Sequence, residues 1–266
     1  MQDFNYKKSF GQNFINDKNI VHKIIDCSNI KENSLVVEIG PGSGNLTREL
    51  SKVSKNVLAY EIDDRLEEIL DENLVGCTNV TIIFQDFLQS DIIEDVKNYE
   101  YDHLYLTANI PYYITTPIVE KIIKSKLNFE NITLMMQKEV GERFSAKPGN
   151  KSYGSITVFL NYYFDIKKQF EVSRNLFTPR PNVDSVVITL TMKDGRKANN
   201  EDLFFKVVRS AFQYKRKNIR NNLKNYDLKI IEEVLKKHNY DLTVRAEQLN
   251  LDIFIDIADE LDKRTK

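Results

Sequence analysis

From the N-terminus to about residue 190, short apolar runs alternate with longer stretches whose apolar positions recur every three to four residues. That alternation predicts a parallel α/β sheet with crossover helices. Leu35-Val36-Val37-Glu38-Ile39 reads as a strand ending in Gly40, with a helix over 44–52 behind it. The run 56–61 reads as the second strand. Asp63 is placed to cap a helix through Asn73 that carries Leu66, Ile69, Leu70 and Leu74 on one face. Further strands are expected at 80–84, 103–108 and 132–136, the second of these leading into Asn109. A helix over 116–125 tolerates Pro117 in its first turn. Two later β-like runs, 156–163 and 183–192, read as a closing antiparallel pair. The polar, turn-rich stretch 193–200 reads as a linker. Beyond it the pattern is helical at 201–213, 215–224, 228–238 and 246–262. The expectation is a doubly wound α/β domain over 1–194 and a small all-helical domain over 195–266.

At 266 residues, 41% hydrophobic and 29% charged, the chain can form a packed core, and global disorder is excluded. No apolar run approaches the ~20 residues that span a bilayer. The opening Met1-Gln2-Asp3-Phe4 lacks the apolar stretch of a signal peptide. Cys27 and Cys77 supply neither a disulfide framework nor zinc-ligand spacing. A cytoplasmic protein with reduced thiols is expected. The net charge of −1 gives no argument for a nucleic-acid partner, so the local distribution has to carry one. Between 206 and 226 the chain holds Lys206, Arg209, Lys215, Arg216, Lys217, Arg220 and Lys224 with no Asp or Glu. Acidic residues gather instead at 61–72 and 252–262. Taken alone, a basic run of this kind describes a solvated helix face.

In a doubly wound sheet the C-terminal strand ends share one crevice, where ligands sit. Gly40-Pro41-Gly42-Ser43-Gly44 follows the first strand, and its glycines let a backbone approach a ligand closely. Glu61 ends the second strand and suits the hydroxyls of a ribose. Asp86 follows the third strand and suits the amine of an adenine. The spacing also fits a dinucleotide site, but the turn is G-x-G-x-G rather than G-x-G-x-x-G. After the fourth strand comes Asn109-Ile110-Pro111-Tyr112. An adenine N6 lone pair is delocalised into its ring, so the amine must be drawn towards tetrahedral geometry before it can accept a methyl group. The Asn109 side-chain oxygen and the Ile110 carbonyl are two acceptors suited to the amine hydrogens. Pro111 fixes the bend, and Tyr112 offers a face on which an extruded base stacks. The two motifs together point to methyl transfer from S-adenosylmethionine (SAM) to adenine N6. His22, His103 and His238 are scattered, and this chemistry needs no metal.

These residues, with Lys8-Ser9-Phe10-Gly11-Gln12-Asn13-Phe14, Thr115-Thr116-Pro117, Gln137-Lys138-Glu139, Phe177-Thr178-Pro179-Arg180-Pro181 and Arg216-Lys217-Asn218-Ile219-Arg220, resemble the ribosomal RNA adenine dimethyltransferase family. The resemblance runs nearly end to end and is nearest the members acting on small-subunit RNA. It implies a class I SAM-dependent methyltransferase fold, Rossmann-like, with a small helical domain appended. It implies dimethylation of two adjacent adenosines near the 3′ end of small-subunit RNA, in a late assembly intermediate of the subunit. It places Asn13 and Ile15 at the methionine end of the SAM site, beside Gly40, Gly42, Glu61, Asp86 and Asn109. It also assigns Lys206, Arg209, Lys215, Arg216, Lys217 and Arg220 to RNA phosphates, contacts that confer affinity rather than sequence choice. Related family members carry Asn where this chain has Tyr113; an aromatic there either adds stacking or fills core. Two alternatives remain open: a macrolide-resistance methyltransferase acting on large-subunit RNA, which shares Asn-x-Pro-Tyr, and a non-catalytic assembly factor. Thr115-Thr116-Pro117, Lys147-Pro148-Gly149 and the basic Arg216–Arg220 segment favour the dimethyltransferase. A monomer is expected.

Overall fold

The computed structural model describes residues 13–15, 17–110 and 114–265. The chain divides into two compact units, one of residues 1–141 and 166–192, the other of 142–165 and 193–266. The second unit therefore takes in 142–165, which the sequence pattern had assigned to the first.

The first unit is built on a seven-stranded sheet with strands β2 (Ser34–Ile39), β3 (Asn56–Glu61), β4 (Val80–Phe84), β5 (His103–Asn109), β6 (Asn131–Gln137), β7 (Phe164–Val172) and β9 (Ser185–Met192). Their order is β4-β3-β2-β5-β6-β9-β7. β4, β3, β2, β5 and β6 run parallel, and β9 is antiparallel to β6. The order reverses at β2, so the crevice beyond the ends of β2 and β5 is the switch point where such sheets bind ligands. β2 is buried along its whole length, with Leu35, Val36 and Val37 fully inaccessible. That explains why Leu35–Val37 reads as a continuous apolar run rather than an alternation; each such side chain contributes roughly 1.5–3 kcal/mol.

Helices cover the sheet. α1 (Lys18–Ser28) is capped by Asp17, whose carboxylate accepts from Asn19 N at 2.8 Å, and buries Ile20, Val21 and Ile24. α2 (Asn45–Val53) follows the glycine turn, with Leu46 and Leu50 buried. Asp63 caps a short 3-10 turn, Asp64–Leu66, that runs into α3 (Glu67–Asn73). α4 (Ile92–Lys97) precedes β5, and α5 (Thr115–Ser125) buries Ile118, Val119 and Ile122. A separate two-stranded ribbon pairs β1 (Phe14–Ile15) with β8 (Phe177–Thr178). Near the C-terminal edge of β6, α6 (Lys138–Phe144) begins, and a Cβ at its Gly141 would lie 2.2 Å from a Val186 methyl carbon, so the side-chain-free position is required there.

The second unit is helical: α7 (Ser155–Tyr163), α8 (Glu201–Ala211), α9 (Ile219–Asn222), α10 (Leu228–Lys237) and α11 (Leu251–Thr265), with a 3-10 turn at Ala246–Gln248. Its core combines Val158 and Tyr162 with Phe204, Val207, Ile231, Leu235 and Phe254. The Tyr162 and Phe204 rings stack with centroids 4.6 Å apart. Residues 156–163, expected as a strand, are thus a helix, and the strand next in sequence is β7. The expected helix over 215–224 is instead the end of a seven-residue loop, 212–218, followed by the single-turn α9.

Candidate active site

The glycine turn leaves β2 with Gly40, Gly42 and Gly44 at φ +74, +59 and +80°, a region other residues enter only with strain. The Gly42 backbone N–H donates to the Glu61 carboxylate at 3.1 Å, and Asp63 N donates to its other oxygen at 3.0 Å. Glu61, at the end of β3, is only 5% exposed. Burial lifts its carboxyl above the usual range, while the N–H groups of Asp63, Gly42 and Ile62 pull it back. The carboxylate is thus held in one orientation with acceptor capacity to spare. Asp86 caps the 3-10 turn Phe87–Gln89 by accepting from Leu88 N at 2.9 Å. Lys121 of α5 anchors that turn by donating to the carbonyls of Phe87 and Ser90, each at 2.5 Å.

Asn109 ends β5. Its amide nitrogen donates to the Asn13 carbonyl at 3.0 Å, which turns the amide oxygen the other way. Asn45 at the head of α2 donates to the Ile15 carbonyl at 2.8 Å, tying β1 to the glycine turn. Ile110 is buried and its N–H pairs with Met135 O at 3.0 Å, extending the sheet register by one residue. Pro111, Tyr112 and Tyr113 lie outside the described residues.

Asn13, Gly40, Gly42, Glu61, Asp86 and Asn109 therefore line one open cleft. Ile15 lines instead an adjoining hollow, beneath the glycine turn, that also reaches Gly40, Gly42 and Asn109. Lys206, Arg209, Lys215, Arg216, Lys217 and Arg220 are all exposed on the second unit.

Two features of the site escaped the sequence reading. The cleft walls are apolar: Ile62, 47% exposed, with Leu66, Phe87, Leu88, Ile114 and Ile118, a surface suited to a base. An Ile directly after the strand-end acid was the available signal. The second is Glu38, a carboxyl inside the fully buried β2 that lines the adjoining hollow. It is 1% exposed and, among the described residues, neither its Oε2 nor the buried hydroxyl of Thr107 has a hydrogen-bond partner. Burial pushes the Glu38 carboxyl up to about 8, against the Thr47 hydroxyl beside it and with help from the charge of Glu61. An acid in the middle of an apolar strand run was the signal for it. A buried, unpartnered carboxyl is costly unless something charged or hydrogen-bonding completes it.

A parallel sheet in this order with an inserted antiparallel β9, a glycine turn at the switch point and an acid at the end of the next strand define a class I SAM-dependent methyltransferase. The chain belongs to the ribosomal RNA adenine dimethylase family, whose sequence model matches residues 3–263. It is 42% identical over 271 residues to the ribosomal RNA small subunit methyltransferase A of Macrococcus caseolyticus, covering 98% of this chain and 91% of that one. The protein of the same description from Staphylococcus haemolyticus is 43% identical, with 94% and 84% covered. Among solved structures, a dimethyladenosine transferase from Plasmodium falciparum superposes with a TM-score of 0.80 at 28% identity over 95% of this chain and 98% of that one. The 23S rRNA methyltransferase ErmE superposes at 0.76 with 26% identity, over 94% and 100%. The chain is a methyltransferase of this family, and SAM is the donor the family implies. The residues present suit SAM: a cleft with apolar walls and an oriented carboxylate for its nucleoside, and an orphaned buried carboxyl for its ammonium. Among the described residues, no helix is long and apolar enough to cross a membrane.

Proposed function

We propose that this protein transfers methyl groups from SAM to N6 of two adjacent adenosines near the 3′ end of small-subunit ribosomal RNA, giving N6,N6-dimethyladenosine, within an immature small subunit. The observation that carries the reading is Asn109, placed at the end of β5 and oriented by the Asn13 carbonyl in the cleft that also holds Glu61 and the glycine turn. The curated relatives described as small subunit methyltransferase A are 42–43% identical, against 26% for ErmE, which favours the small-subunit substrate.

SAM, when bound, supplies a methyl carbon made electrophilic by its positive sulfur. Glu61 accepts from the ribose hydroxyls, and Asp86 from the adenine amine of the donor. Ile62 and Phe87 flank that base. Glu38 and Thr107 receive the ammonium, while Asn13 and Ile15 line the methionine end. The Asn109 oxygen and the Ile110 carbonyl accept the two hydrogens of the target amine. This directs the N6 lone pair out of conjugation, and the amine sheds its proton to water after transfer. Tyr112 holds the extruded base by stacking, worth ~1–3 kcal/mol. The basic residues of the second unit engage phosphates. We place the protein in the cytoplasm, acting as a monomer and without a metal.

The test is methyl transfer from labelled SAM to small subunits isolated from a strain lacking the modification, with large-subunit RNA in parallel. Label recovered as N6,N6-dimethyladenosine in small-subunit RNA alone is the expected result. Label in large-subunit RNA moves the function to the resistance class. SAM binding without transfer to either would leave a non-catalytic assembly factor.

A further inference from the structure

The loop between α8 and α9 carries an aromatic ring that the catalytic reading does not use. Tyr214 is 59% exposed and is the one exposed large hydrophobic residue among the described residues of the second unit. It stands in Gln213-Tyr214-Lys215-Arg216-Lys217, inside a stretch with no acidic residue from Leu203 to Tyr226. Arg216, Lys217 and Arg220 are exposed and make no ion pair among the described residues. Elsewhere, Lys31, Lys52, Lys97, Lys138, Lys168, Arg196 and Arg264 all pair with carboxylates.

The loop backbone is held from below. Asn222, 8% exposed, donates its amide hydrogens to the carbonyls of Ala211 at 2.7 Å and Tyr214 at 3.2 Å. Lys217 N closes a turn onto Tyr214 O at 2.9 Å, and the Lys215 ammonium donates to Lys151 O at 2.8 Å. Asn218 caps α9, and Ile219 N and Arg220 N donate to the carbonyls of Val244 and Leu242. The Tyr214 side chain contributes to none of these bonds. The ring is thus mounted on a fixed backbone with three cations following it in sequence, so presenting it costs little ordering entropy.

We propose that Tyr214 is a base-stacking residue: its ring receives an unpaired RNA base while Arg216, Lys217 and Arg220 hold the adjoining phosphates. This rests on the RNA-modifying reading above and names the contact that reading lacks. An aromatic among cations fits single-stranded or bulged RNA, whose bases are free to stack, rather than an A-form helix, whose bases are not.

The chain has no tryptophan, so Tyr214→Trp introduces a sole indole reporter. The full-length protein is titrated at fixed salt with an oligoadenylate of about 12 nucleotides. Emission of the introduced indole is expected to be quenched at saturation. Tyr214→Ala should weaken binding about 5- to 150-fold, the range one stacked base spans, without changing the slope of log K against log salt, which counts phosphate contacts. Tyr214→Phe should bind like the unaltered protein. Unchanged indole emission at saturation, undiminished binding by Tyr214→Ala, or an equal loss in Tyr214→Phe each overturns the proposal. Methyl transfer by the unaltered protein to small subunits is scored separately. A failure there rejects the methylation reading, whereas a silent indole rejects stacking.

Discussion

Replacing Glu38 by Gln keeps the shape of β2 and removes one titrating group. In the folded, cofactor-free protein that carboxyl sits near 8, against 4.5 for an exposed glutamate. At pH 7 it is ~90% protonated when folded and ionised when unfolded. The folded state therefore holds the extra proton between those two values. This group costs nothing below about pH 4.5, and its stability contribution falls as pH climbs towards 8. Between pH 5 and 7 the loss is about 2–3 kcal/mol, or about 4–12 °C in Tm for a unit of this size. Thermal unfolding without SAM at the two pH values should show that drop in the unaltered protein, and a drop smaller by the same amount in Glu38→Gln. If Glu38 receives the SAM ammonium, it ionises on binding. Calorimetry at pH 7 in two buffers of different ionisation enthalpy should then report release of roughly 0.9 proton by the unaltered protein, and none from this position in the variant. Parallel Tm–pH curves together with equal proton release would refute the reasoning, since they would mean that Glu38 neither carries a raised pKa nor meets the ligand's charge.

Three further outcomes are expected. Tyr112→Ala should abolish methyl transfer while SAM binding, followed by equilibrium dialysis, is largely kept; equal loss of both would assign Tyr112 to the cofactor pocket. Gly42→Ala puts a Cβ 2.7 Å from the Phe14 ring at φ +59°. It should destabilise the first unit by about 1–3 kcal/mol and weaken SAM binding, and an unchanged Tm with unchanged affinity would contradict the strain argument. Changing Lys215, Arg216, Lys217 and Arg220 together to Gln should leave SAM affinity intact. It should flatten the salt dependence of binding to single-stranded RNA by about 0.7 for each phosphate no longer neutralised, measured by anisotropy from low to high salt.

The inner parallel strands were legible because both their faces are buried, which writes them as apolar runs such as Leu35–Val37 in β2. Because their C-terminal ends share one crevice, Gly40, Glu61, Asp86 and Asn109 could be brought together from sequence alone. Residues 156–163 misled for a physical reason. Ile156, Val158, Phe159, Tyr162 and Tyr163 are β-formers by propensity, but their rings pack on Phe204 and Phe205 of α8, and that packing sets the helix. β7, the strand next to it in sequence, is an edge strand carrying Lys167, Lys168 and Gln169, with no regular alternation to read. Asn13 and Ile15 were reached only through resemblance. Their position depends on a two-residue strand pairing with Phe177–Thr178, about 160 residues away, which leaves no local pattern. In sequence Glu38 reads as one more residue of β2; only its burial and, among the described residues, its unpaired Oε2 mark it.

The route of the chain constrains how this protein is made and how it can diverge. The backbone enters the helical unit at residue 142, leaves it at 166 and returns at 193. On a ribosome, the sheet unit has all its residues once 192 has emerged, whereas Val158 and Tyr162 must wait for Phe204, Ile231 and Phe254 before their shared core can close. Synthesis thus imposes an order of completion, sheet first. The same interleaving means that the helical unit is not a detachable cassette. Cutting at the linker would strip its core of an entire helix, so a fusion made there could not carry the unit whole.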